Sequence, residues 1–166
     1  MPTGDQASHS SAAGIAIVRR LRHRQLVDRI DYLRGLRRLA QTMTQSDLAR
    51  ALGLTQPSIS SALKSAQKVP DPRPGFSGAS PYEIAQRFAA GRLTRTQLVD
   101  ELVRWDRERF VVDTFRPARQ RELGVAEDLR TAVRDGVIDQ GIYDTILIRV
   151  QRRRRPAVTA DLEQLP

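Results

Sequence analysis

"TQSDLARALGLTQPSISSALK", Thr44–Lys64, is the stretch on which the reading of this chain turns. Thr44 offers a side-chain acceptor to first-turn amides, and Asp47 follows three residues later, so a helix is expected to open at Gln45. Leu48, Ala49 and Leu52 give that helix an apolar face. Gly53 is placed to end it, because a residue without a Cβ enters the left-handed region at little cost. Leu54 is expected to plug the corner, Thr55 to cap a second helix, and Pro57 to sit tolerably in its first turn. Ile59 and Leu63 should face inward, and Ala49 is small because the second helix crosses close over it. Two short helices joined by a glycine-bearing turn make a helix-turn-helix.

The outward residues of the second helix are Gln56, Ser58, Ser60 and Ser61, with Lys64 at its end. A solvated surface helix more often carries Glu and Lys there. Uncharged hydrogen-bonding side chains suit base edges in a major groove.

The stretch "QSDLARALGLTQPSISSAL" resembles the helix-turn-helix of lambda-repressor-like (Cro- and Xre-type) regulators. Those share Gln at the opening of the first helix, Ala four residues on, Gly four beyond, and Ile or Val six after the Gly. Gln45, Ala49, Gly53 and Ile59 occupy all four places, over a resemblance spanning about residues 30–66. It implies that Gln45 holds a backbone phosphate and that Gln56 reads a base, adenine by preference. It also implies that Ser58, Ser60 and Ser61 lie at or near backbone and base positions. Pro57 departs from the pattern, standing where relatives often carry a polar base reader. The β-rich self-cleaving module of some relatives is not evident here.

Charge supports a polyanionic partner. Residues 1–64 carry a net +6, residues 65–148 are neutral, and residues 149–166 carry +3. The preference for 26 Arg over 2 Lys is what GC-rich coding yields, but coding does not explain the segregation. Arg19, Arg20, Arg22 and Arg24, with Arg37, Arg38 and Arg50, are candidates to grip phosphates as a group. The candidate DNA-contacting set is completed by Gln45, Thr55, Gln56, Pro57, Ser58, Ser60, Ser61 and Lys64.

Upstream, a helical pattern is expected from about Ala12 to about Thr42, after a disordered segment 1–11. Its inward positions fall in two sets, Ile15, Val18 and Leu21, then Leu26, Ile30, Leu33, Leu36 or Arg37, and Ala40. The step of five from Leu21 to Leu26 means either one helix that changes its buried face or two helices meeting near "RHR", with a break or kink the expectation. Downstream, the Pro- and Gly-rich residues 67–80 read as a linker. Residues 81–150 read as a second helical domain, and 151–166 as a basic tail containing Arg152–Arg155.

Within that second domain, "FAAGRLTRTQLVDEL" (88–102) aligns with "VRDGVIDQGIYDTIL" (133–147) at a spacing of 45. Gly91 matches Gly136, Thr94 matches Asp139 as N-cap, Leu98 matches Tyr143, and Leu102 matches Leu147. Each unit reads as an αα-hairpin. Phe110–Phe115 is the one β-like run, read as an extended connector or as half of a pairing across a dimer. The fold class expected is all-α.

Several function classes lose their footing. There is no Cys, and only His9 and His23, too few for a zinc site of the usual kind. No Gly-rich phosphate loop and no Ser-His-Asp set can be assembled, so neither enzyme activity nor any cofactor is expected. No apolar run approaches the roughly 18 residues of a membrane span, and no signal-peptide pattern opens the chain. The expected location is the cytoplasm, at the nucleoid. The expected function is sequence-specific transcriptional regulation through double-stranded DNA, most simply repression in a phage or mobile element. Two readings stay open beside it: an antitoxin-type autoregulator whose residues 81–150 hold a protein partner, and an accessory subunit of a recombination complex. A homodimer is compatible with each.

Overall fold

A computed structural model describes the backbone of residues 4–112 and 118–154, and the side chains of residues 11–106 and 126–153. Seven helices and no strand occur among the described residues, so the fold is all-α. They are α1 (Gly4–Leu39), α2 (Gln45–Leu52), α3 (Gln56–Ala66), α4 (Pro81–Ala89), α5 (Arg95–Val112), α6 (Ala118–Arg134) and α7 (Gln140–Arg154). No helix among the described residues is long and apolar enough to cross a membrane.

The first helix differs from expectation in two ways. It begins at Gly4, inside the segment expected to be disordered, and it runs unbroken through Arg22-His23-Arg24 to Leu39. The step of five does not mark two buried faces, because the first set is not buried. Ile15, Val18 and Leu21 are all more than half exposed, and Leu26 is 42% exposed. The buried stripe is Val27, Leu33, Arg34 and Leu36, with Ile30 half-buried, and it holds one register. Ile30, Leu33 and Leu36 of the second expected set lie on that stripe, while Val27 is buried in place of Leu26 and Arg34, 3% exposed, takes a position no apolar pattern reports.

Two cores form. Leu33 and Leu36 of α1 pack on Leu48 and Ala49 of α2 and on Ile59, Ala62 and Ala66 of α3. The second core gathers Ile84, Leu98, Leu102, Trp105, Leu129, Ile142 and Ile146 from α4–α7. The single Trp is thus a core residue, 6% exposed, with Phe76 edge-on to its ring at 4.8 Å.

The αα-hairpins α4–α5 and α6–α7 repeat at the level of the turn. Gly91 and Gly136 have φ of 75° and 69°. Arg92 N donates to Arg87 O, as Val137 N donates to Ala132 O, both at 2.8 Å. Thr94 Oγ1 accepts from Gln97 N, as Asp139 Oδ1 accepts from Ile142 N. The apolar match fails in the second helix of each hairpin. Leu98 and Leu102 are fully buried in α5, but α7 buries Ile142, Ile146 and Val150 and leaves Tyr143 and Leu147 half-exposed. One position around a helix is about 100°, so α7 is turned by that much relative to α5.

Residues 67–80 are packed rather than loose. Phe76 is buried, and Ser77 donates through N and Oγ to Glu101 Oε2 at 3.0 and 2.8 Å. The carbonyl of Pro70 accepts from Arg34 Nε at 2.9 Å. Proline removes donors but leaves carbonyls, and here a buried guanidinium uses one. The β-like run is also overridden: Phe110–Val112 form the last turn of α5, and residues 113–115 lie outside the described residues. Arg152–Arg154 belong to α7 rather than to a separate tail, and residues 155–166 lie outside the described residues.

An ion-pair cluster joins the two cores. Arg34 meets Glu83 of α4 through two parallel bonds, Nη1 to Oε1 at 2.7 Å and Nη2 to Oε2 at 2.8 Å. Arg87 donates to the same Glu83 at 2.9 Å and to Asp31 at 3.0 Å. Burial alone would raise the Glu83 carboxyl, but hydrogen bonds from Arg34, the Ala79 amide and Arg87 outweigh it and hold the group below its ordinary range. The Ala79 amide donates at 2.9 Å.

Candidate nucleic-acid interface

The geometry of α2 and α3 is set by local hydrogen bonds. Thr44 is extended (φ −72°, ψ 158°), and its hydroxyl accepts from Asp47 N at 3.1 Å. Gly53 adopts φ 64° and ψ 32°, and the following Leu54 N donates to Ala49 O at 2.9 Å, closing the helix end. Thr55 is extended again, and its hydroxyl accepts from Ser58 N at 3.3 Å. With Ile59, Ala62 and Ala66 buried, 100° per residue puts Pro57, Ser61 and Lys64 along the outermost line of α3. Ser60 is half-buried at one edge, and Gln56 is exposed at the first turn.

Two expected core positions are open instead. Leu52 is 44% exposed and Leu54 46% exposed, so Leu54 does not plug the corner. The corner is held by the backbone bonds of Gly53 and Leu54 together with Leu48 and Ala49, which leaves the Leu54 side chain outside. It lines a groove of about 530 Å³ between α1 and α3, with Pro57, Ser58, Ser61, Arg29 and Tyr32.

The candidate polar residues divide. Gln45, Gln56, Ser61 and Lys64 are exposed. The Ser58 hydroxyl lies 2.7 Å from Thr55 Oγ1 and is engaged in the cap. Arg50 is 80% exposed with Asp47 at 3.1 Å, a surface pair that adds little stability. Arg37 is structural, since its Nη1 donates to Ala66 O at 2.8 Å and Val69 O at 2.7 Å, covering carbonyls at the C-terminal end of α3. Arg38 is exposed.

The cluster at Arg19–Arg24 lies elsewhere. Arg20 sits against the Gly91 turn, where an added Cβ would meet its guanidinium. Arg19, Arg22 and His23 line a cleft of about 320 Å³ with Tyr82, Gln86 and Asp135. Arg24 is exposed on the same stretch of α1. From Arg24, the last of the cluster, to Arg29 is about 7.5 Å along the axis, at 1.5 Å per residue, and none of the four arginines lines the α3 groove. The structure therefore does not bring the cluster together with the α3 groove. His23 Nδ1 is buried without a hydrogen-bond partner among the described residues, and burial, then the Arg22 charge, lower its pKa.

The cation at the groove is Arg29, which lies outside the set expected from sequence. Its guanidinium stands 5.4 Å from the Tyr32 ring, and it has no acidic partner among the described residues. A signal was present: Arg29 lies one helical turn before Leu33, on the segment that must pack against α3. No three His, Asp or Glu side chains converge among the described residues in a way that could hold a metal. No family model matches the chain, and no curated protein or solved structure matches it either.

Proposed function

We propose that this chain is a sequence-specific DNA-binding transcriptional regulator, acting as a repressor, with α3 lying in the major groove of duplex DNA. The observation that carries the reading is the outward face of α3. That helix is capped at its start, has no acidic residue, and leaves Gln56, Ser61 and Lys64 exposed, with Ser61 lining the same groove as Arg29. Hydrogen-bonding side chains without negative charge suit a surface that must approach phosphates and then touch base edges. The likeness of Gln45, Ala49, Gly53 and Ile59 to the lambda-repressor-like pattern supports the same reading.

In this arrangement Gln56 reads a base, Gln45 at the start of α2 holds a phosphate, and Lys64 and Arg29 supply charge to the strands. Arg37 takes no part, since its guanidinium is spent on Ala66 and Val69. Such a protein works at the chromosome, in the cytoplasm. Selection from a random duplex library by the full chain tests the reading. An enriched motif bound in preference to competitor DNA at moderate salt is expected. Failure to enrich any sequence would remove the proposal.

A further inference from the structure

We propose that Leu54 and Pro57 form an apolar seat for the 5-methyl group of a thymine, making one position of the bound site prefer thymine over cytosine. The inference rests on the DNA-binding reading above and deepens it. Leu54 follows the left-handed Gly53 and is 46% exposed, although a corner leucine ordinarily gains by being covered. Pro57, on the outermost line of α3, has no polar side-chain atom and no backbone N–H to offer a base. These two side chains face the same groove, whose rim holds Ser61 and Arg29 and whose lining includes no acid.

Thymine presents a methyl group beside the O4 acceptor in the major groove, whereas cytosine presents an N4 amino donor and no methyl. The seat matches thymine twice. Its apolar floor accepts the methyl, and the Ser61 hydroxyl, which has no partner among the described residues, can donate to O4. Ser58 is the poorer donor because its hydroxyl is held by Thr55. Arg29 lines the seat with positive charge, and Lys64 is exposed one turn beyond Ser61 on α3, as a polyanion requires.

The test starts from a duplex site selected by the full chain. Each thymine is replaced singly by deoxyuridine, which removes the methyl and changes nothing else on that edge. At one thymine of that site, affinity should fall about fourfold, the equivalent of roughly 0.8 kcal/mol for one buried methyl. Cytosine there should cost more, and 5-methylation of that cytosine should recover part of the loss. Leu54→Ala and Pro57→Ala, each checked for helicity by circular dichroism, should bind the thymine and uracil sites equally. Both residues are exposed, so the two variants give independent readings if one fails to fold. Uracil tolerated at every position, or discrimination kept by both variants, overturns the seat while leaving DNA binding in place. Absence of any selected site overturns both.

Discussion

Three helix-to-helix corners in this chain share one local device and differ in what they leave outside. Gly53, Gly91 and Gly136 all take positive φ, and Thr55, Thr94 and Asp139 cap the helices that follow. Between glycine and cap, the first corner carries Leu54, nearly half exposed, whereas the third carries Val137 and Ile138, both buried. The outward faces diverge in the same sense. α5 and α7 spend charge on each other, as in the Arg149–Asp100 pair at 3.4 Å, while α3 leaves uncharged polar groups unspent. One local motif can therefore close a core or present a surface, depending on what packs against its corner.

The strongest perturbation of this contrast is at the junction of the two cores. Arg34→Ala leaves the buried Glu83 without its bidentate partner and should cost about 3–5 kcal/mol, read by urea unfolding. Replacing both by Met and Leu should restore much of that loss. An unaffected Arg34→Ala would mean that the pair does not couple the units.

Gly53→Ala and Gly136→Ala should each cost about 1–2 kcal/mol, because both positions hold left-handed backbone with no steric neighbour to add to the penalty. If the corners are one device, the two losses will be alike. Gln56→Ala should leave stability unchanged but cost about 1–3 kcal/mol of specific DNA binding and relax preference at one base pair. An equal loss on all sequences would remove its reading role.

The pH dependence follows from Glu83. Its folded-state pKa is depressed, so its stabilising effect is complete above the ordinary carboxylate range and is lost as pH falls through the folded value. Glu83→Gln should flatten the acid side of the stability curve; an unchanged slope would assign acid unfolding to other groups. The smallest effect separates two exposed arginines, one lining the α3 groove and one at the Gly91 corner. Arg29→Ala should lower the log–log salt slope of DNA binding by about 0.9. Arg92→Ala, whose guanidinium already pairs with Asp28 at 2.6 Å, should leave it unchanged.

The parts legible in the chain were those made by neighbours in sequence. Thr44, Gly53, Thr55 and the paired glycines at 91 and 136 act through bonds spanning at most six residues, so their spacing suffices. The illegible parts involve distant partners. The Pro-rich segment reads as a linker until Phe76 meets Trp105 and Pro70 meets Arg34. Arg37 reads as a phosphate ligand until α3 ends beneath it. Within the candidate site, Gln56, Ser61 and Lys64 could be placed outward from periodicity alone; Arg29 carried only its one-turn spacing to Leu33, and the exposed Leu54 carried no signal.

By itself, then, the order of residues determined an all-helical fold class, the caps and glycine corners, and an outer face of α3 without acidic residues, because helices and their ends are written in contacts a few positions apart. Tertiary structure alone decided that α1 stays unbroken, that Arg34 and Glu83 go inside together, and that the arginines of residues 19–24 lie away from α3. Burial is a property of pairs. A guanidinium is stable out of water only where another segment brings it a carboxylate, and no periodicity in one segment reports what the other will bring.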